Sequence, residues 1–204
     1  MNSADTTSGS ELDKSGNNLN LSIANSSNVA GRVQEAMSFN GSSSALNVYA
    51  PKLDLTASLT LSVWIKTSNS SRAESIISKY DTAGTEAGYL LKTNANGTMS
   101  LRVGGHNTTN GAHEVADPTK INDGQWHHVA VVVNLGQSVT FFVNGVQTSS
   151  VPFPSIAASS SVTFEVGNIA YAFYAQPFTG AIDEVKVFNS ALTPSQIASL
   201  AAGN

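Results

Sequence analysis

The feature that most restricts the fold is a succession of short runs in which apolar and polar residues alternate, at 45–49, 59–67, 75–80, 88–93, 99–104, 127–134, 139–144, 162–167 and 181–189. A period of two places successive side chains on opposite faces of a strand. No long helical period interrupts the series. Asn96-Gly97 and Asn144-Gly145 lie between such runs and predict hairpins, because both turn positions accept positive φ. Many short strands separated by turns predict a sandwich whose two sheets bury alternate residues of each strand. One short helix is expected at the C-terminus. There Thr193-Pro194-Ser195-Gln196 supplies a capping hydroxyl, a Pro at the first helical position and a Gln three residues after the cap, ahead of Ile197-Ala198-Ser199-Leu200. Residues 1–36 are rich in Gly, Asn and Ser, and read as irregular.

Size suits one unit. A chain of 204 residues with 41% hydrophobic content can bury roughly 70% of its unfolded surface around a single core, so residues 1–204 are expected to form a single domain. Charged residues make up only 12% and the net charge is −4. That leaves no basic stripe for a phosphate backbone, and nucleic acid is not an expected partner. Without cysteine there is no disulfide framework, thiolate metal site or cysteine nucleophile. No apolar run reaches the ~20 residues needed to span a bilayer, so membrane insertion is not expected. The first residues lack the basic and apolar regions of a signal peptide.

Three longer motifs follow one another in order: Asp123-Gly124-Gln125-Trp126-His127-His128-Val129-Ala130-Val131-Val132, then Phe142-Val143-Asn144-Gly145, then Phe178-Thr179-Gly180-Ala181-Ile182-Asp183-Glu184-Val185-Lys186-Val187-Phe188. In that order and spacing the chain resembles the laminin G-like, pentraxin-related jelly rolls of the concanavalin A-like lectin and glucanase superfamily. Ser8-Gly9-Ser10-Glu11-Leu12-Asp13-Lys14-Ser15-Gly16-Asn17 is similar to the family's opening. Gly31-Arg32-Val33-Gln34-Glu35-Ala36-Met37-Ser38-Phe39-Asn40-Gly41 is similar to an early strand, with Gln34-Glu35 in place of the usual glycine region. The resemblance implies an all-β, two-sheet antiparallel jelly-roll sandwich with one short C-terminal helix. It also implies an extracellular or cell-surface setting, as a module of a longer secreted protein with further domains as partners.

Asp183 stands out as a carboxylate on an otherwise apolar strand, where it must be paired, hydrogen-bonded or bound to a metal. The residues leave two roles open, capping backbone amides or holding an ion. The family resemblance implies a structural Ca²⁺ with Asp183 as a side-chain ligand and Asp13 and Asn17 contributing from the opening loop, together with backbone carbonyls. Calcium suits such a site because it accepts about 6–8 hard oxygens in loose geometry. Zinc is not expected. His127 and His128 face opposite sides of a strand, and His106 and His113 have no third partner at zinc spacing.

An enzyme on this fold would need a recognisable strand. Retaining glucanases require two carboxylates about 5–5.5 Å apart, which their Glu-x-Asp-x-x-Glu strand supplies. That motif is absent here, as are the alginate-lyase strands and the Gly-x-Ser-x-Gly elbow of serine hydrolases. Non-catalytic binding is therefore the leading expectation. Sugar recognition needs aromatic faces and planar polar groups that bond vicinal hydroxyls in pairs. Tyr171, Phe173 and Tyr174, three aromatics in four residues of one loop, are the first candidates. Arg72, Tyr89, Arg102, His106, Asn107 and His113 follow, and Trp64 and Trp126 read as core. The expected function is a carbohydrate-binding module for a polysaccharide or glycan. An adhesion module for a protein partner or neighbouring domain is the alternative, and a polysaccharide-degrading enzyme comes third.

Overall fold

The structure is a computed structural model that describes residues 6–7, 9–82, 86–105, 112–153, 160–170 and 175–203. Among these, two antiparallel sheets stack into a sandwich. The seven-stranded sheet runs β14 (Val146–Pro152), β13 (Ser138–Val143), β12 (Trp126–Asn134), β7 (Leu59–Lys66), β16 (Thr179–Phe188), β5 (Glu35–Asn40) and β4 (Ser27–Ala30). The nine-stranded sheet runs β1 (Thr6–Thr7), β2 (Ser10–Glu11), β3 (Leu21–Ala24), β6 (Ala45–Val48), β15 (Phe164–Val166), β8 (Glu74–Asp81), β9 (Ala87–Thr93), β10 (Met99–Gly104) and β11 (Ala112–Asp117). Hairpin neighbours at the edges frame crossovers at β3–β6, β6–β15, β15–β8, β12–β7, β7–β16 and β16–β5, the crossed connectivity expected of a jelly roll.

Alternation decides which residues meet between the sheets. Leu61, Val63 and Ile65 of β7 and Val129, Val131 and Val133 of β12 point inward. They share one core with Tyr89 and Leu91 of β9 and Met99, Leu101 and Val103 of β10. Each such side chain contributes roughly 1.5–3 kcal/mol by burial. At one edge of the sandwich Asp117 is fully buried and accepts from Thr148 Oγ1 at 2.7 Å and Ser149 Oγ at 2.5 Å, tying β11 to β14 across the two sheets. At the far ends of the middle strands the buried Lys79 ammonium donates to the carbonyls of Ser160 and Val162 at 2.8 Å each.

The predicted helix is present as α1 (Pro194–Ala201), with both arms of its capping box formed between Thr193 and Gln196. Its Ile197 packs on Ala130, Val132 and Phe142, so it covers part of the outer face of the seven-stranded sheet. Asn144 and Gly145 both have positive φ and close the β13–β14 hairpin as expected. The Asn96-Gly97 turn differs. Only Gly97 is left-handed, and the loop is longer, closed by Asn94 N–H to Thr98 O at 2.8 Å.

The opening segment corrects the irregular reading of residues 1–36, since β1 to β4 and the first residues of β5 lie within it. These strands are two to four residues long before β5, too short for alternation to register. They are held by register against β6 and β5 rather than by their own apolar content.

Candidate functional site

Register assembles a row on the outer face of the nine-stranded sheet that is polar except at Leu90 and buried at Ser78 and Leu90. Ser22 of β3 pairs with Asn47, Asn47 with Glu165, Glu165 with Ser78, Ser78 with Leu90, Leu90 with Arg102 and Arg102 with Glu114. The flanking residues Leu46, Ile77, Tyr89, Leu91, Leu101, Val103, Val115 and Val166 all belong to the core, so this row points away from it. Leu90 is the row's apolar member, and it packs with Tyr80 and Ile169 in a small cluster above the sheet. Beyond the end of β6 the same alternation continues to Tyr49, an aromatic side chain that is 67% exposed.

Arg102 is the centre of a fixed electrostatic lattice. Its Nη2 donates to both Glu86 carboxylate oxygens at 2.8 and 2.9 Å, its Nε donates to Tyr80 Oη at 2.9 Å, and Tyr80 Oη donates to Glu86 Oε2 at 2.6 Å. Glu114 closes the other side, 3.5 Å from Arg102 Nη1, 2.9 Å from Lys92 Nζ and 2.9 Å from Ser100 Oγ. Burial alone would raise the Glu114 carboxyl. The hydrogen bond and charge of Lys92, then Ser100 and Arg102, outweigh it and hold the group below the usual carboxylate range. The Tyr80 phenol is pushed up, first by burial and then by its bond to Glu86. Glu165 is likewise raised by burial, against a hydrogen bond from Thr163. Arg102 and Glu114 remain about one-third exposed. The face thus offers a guanidinium and carboxylates already held in place, which lowers the ordering cost of bonding to paired hydroxyls.

The sequence candidates divide between this face and the interior. Arg102 lies in the row, on β10 beside the edge strand β11. Tyr89 is 1% exposed and its hydroxyl donates to Leu53 O at 3.0 Å, so it serves the core. His113 pairs in register with Val103 and its ring lies 4.8 Å from that of Phe153, on the inward side. Arg72 is a clamp: its Nη2 donates to Gly41 O at 2.6 Å and Pro177 O at 3.1 Å and contacts Thr179 Oγ1 and Glu74 Oε1 at 3.3 Å each. Tyr171, Phe173, Tyr174, His106 and Asn107 lie outside the described residues. Trp64 is buried as expected, but Trp126 is only partly so and lines an open cleft. Sequence reading missed Tyr49, Lys92, Ser78 and Glu165. The signal available was that each is polar or aromatic at an outward position of an alternating run.

The residues expected to hold calcium have other partners. Asp183 is fully buried; its Oδ2 accepts from Arg32 N at 3.0 Å and Val33 N at 2.9 Å, and its Oδ1 accepts from Glu184 N at 2.8 Å. Asp13 accepts from Ser15 N, Ser15 Oγ and Leu19 N at 2.8–2.9 Å, which shapes the opening loop. Asn17 donates to Ser15 Oγ within that loop. Among the described residues no three of His, Cys, Asp or Glu gather as a metal-ligand group. A calcium ion held by Asp183, Asp13 and Asn17 would need backbone carbonyls to complete its about 6–8 oxygens.

The histidines of the central motif also follow the alternation. His128 faces outward, is buried, and lies 2.9 Å from Ser62 Oγ through Nε2; His127 Nε2 lies 3.0 Å from Asp123 Oδ1.

Comparison with known proteins matches residues 39–198 to the Laminin_G_3 family model, described as the Concanavalin A-like lectin/glucanases superfamily. No curated protein matches the chain by sequence. Among solved structures, Domain 4 of AbnA, a GH43 extracellular arabinanase from Geobacillus stearothermophilus, in complex with arabinotriose, is 23% identical with a TM-score of 0.66, over 86% of this chain and 81% of that one. The binding domain of Paraclostridial Mosquitocidal Protein 1 is 17% identical with a TM-score of 0.75, over 98% of this chain and 51% of that one. The binding domain of Botulinum neurotoxin DC, in complex with rat synaptotagmin II, is 14% identical with a TM-score of 0.74, over 97% and 49%. The chain therefore spans about half the length of these two toxin domains, and the likeness is one of fold.

Proposed function

Since the chain belongs to the laminin G family of the concanavalin A-like lectin/glucanases superfamily, we propose that it is a non-catalytic carbohydrate-binding module that holds a polysaccharide or glycan on the outer face of its nine-stranded sheet. The observation that carries this reading is the outward row from Ser22 through Asn47 and Glu165, across the buried Ser78 and Leu90, to Arg102 and Glu114, with the exposed Tyr49 ring beside it. Asn47 and Arg102 are four strand spacings apart, roughly 19 Å, a span suited to a chain of sugars rather than one ring. Fixed polar groups supply paired hydrogen bonds, and a tyrosine face supplies C–H stacking. The AbnA domain, which shares this fold over most of both chains and is bound to arabinotriose, supports a sugar as ligand. It also supports the extracellular setting that forms part of this proposal.

Retention of the purified protein in gels containing arabinan or other neutral polysaccharides tests the reading. Retention on one of them is expected, with Tyr49→Ala and Arg102→Ala each weakening it at least roughly tenfold. The Tyr49 variant removes an exposed ring and leaves the core untouched. Absence of retention on every polysaccharide would overturn the reading in favour of a protein-binding adhesion module. No step of this function runs through calcium. The ion implied by the family resemblance is tested separately, by melting the protein with calcium and with chelator: a higher midpoint with calcium is expected of a structural ion, and equal midpoints would remove it.

A further inference from the structure

The opposite face of the sandwich carries a second constellation. On the seven-stranded sheet, register sets Ser27, Ser38, Ala181, Lys66 and Trp126 in one outward row across five strands. Ser38, Ala181, Lys66 and Trp126 floor and flank a cleft of about 520 Å³ that is not covered by α1. The floor is low because Ala181 stands in the row with only a methyl group. Trp126 closes one end, and Lys66, its register partner, stands beside it on the same face.

The charge of this cleft is one-sided. Arg32, outside the residues that line the cleft, lays its guanidinium over the ring of Trp64, two residues along β7 from Lys66, 4.7 Å from the centroid. Among the described residues neither Lys66 nor Arg32 has a carboxylate at ion-pair distance, and no Asp or Glu lines the cleft. The acid nearest in register, Asp183, is fully buried and directs its oxygens to the amides of Arg32, Val33 and Glu184. In a chain with 14 acidic and 10 basic residues, this leaves two exposed cations without counter-charge beside an aromatic wall.

We propose that this cleft is a second site, selective for an acidic sugar residue, with the ring lying against Trp126 and its carboxylate on Lys66, on the side toward Arg32. A carboxylate matches the guanidinium fork and the ammonium point charge, and a pyranose or furanose ring matches the exposed aromatic edge of the cleft. The choice of a sugar rests on the glycan reading above; the preference for an anion rests on the cleft itself.

Calorimetric titration with a galacturonic acid oligosaccharide and with its methyl ester, which keeps the rings and removes the charge, tests the site. The acid is expected to bind roughly tenfold or more tightly than the ester, and added salt should weaken it. Lys66→Gln and Arg32→Gln, both at exposed positions, should each cost roughly tenfold. Trp126→Ala should weaken acid and ester together. Equal binding of acid and ester, unchanged affinity in Lys66→Gln, or no binding of the acid overturns the proposal. So does Lys66-dependent binding of anionic phospholipid vesicles without binding of the acid. A failure of the neutral-glycan reading shows itself in the polysaccharide gels instead, so the two can fail separately.

Discussion

At the scale of single residues, His128 shows how position on a strand overrides a side chain's usual chemistry. It is 1% exposed, its Nε2 meets Ser62 Oγ, and its ring stands edge-on to Trp64 at 5.5 Å. Burial first, and then the charge of Lys186, lower its pKa to about 4. The unfolded chain therefore takes up a proton near the ordinary histidine value while the folded chain does not. Stability is full above about pH 6.5 and falls as the pH drops toward 4, by up to about 3 kcal/mol from this group. Urea melts at intervals from pH 7 to pH 5 should show the decline, and His128→Gln should flatten it; an unchanged slope in the variant would contradict the assignment. That His127 and His128 separate to opposite faces was legible from alternation alone. Tyr89 was legible by the same rule, since it shares the face of Leu91, but its hydroxyl drew the reading toward a ligand.

At the scale of elements, the turn before β5 depends on a strand far away in sequence. Gln34 adopts φ +58 where the family pattern favours glycine, and Glu184 adopts φ +50 at the bulge of β16. Both are uncomfortable for side-chain-bearing residues. Asp183, beside that bulge, bonds the amides of Arg32 and Val33 and so pins the turn to the sheet. Asp183→Ala should lower stability by about 3 kcal/mol, because it leaves buried amides without acceptors. Asp183→Asn, which keeps one acceptor oxygen, should cost less. Chemical denaturation in calcium and in chelator should give the same loss; a loss seen only with calcium would contradict the amide-capping role. The long alternating runs and the capped helix could be read in advance because each carries its own pattern. The opening strands could not, since residues such as Ser22 and Asn28 are placed by β6 and β5 rather than by local preference.

At the scale of the whole molecule, the two sheets present different outer faces over one core. The nine-stranded face joins cations and carboxylates in a self-consistent lattice, while the seven-stranded face is divided between α1 and a cationic cleft. Neither face exists in any contiguous stretch of sequence: Ser22, Asn47, Ser78, Arg102 and Glu165 become neighbours along a row only through strand register. For that reason the fold was legible and the site only in part. Arg102 was found by type, whereas Tyr49 and Glu165 needed the sheet order. The most direct test is a backbone NMR titration of the ¹⁵N-labelled protein with a neutral arabino-oligosaccharide. Shifts concentrated at Asn47, Tyr49, Ser78, Arg102, Glu114 and Glu165 are predicted; shifts confined to the seven-stranded sheet, or none at millimolar sugar, would contradict the account.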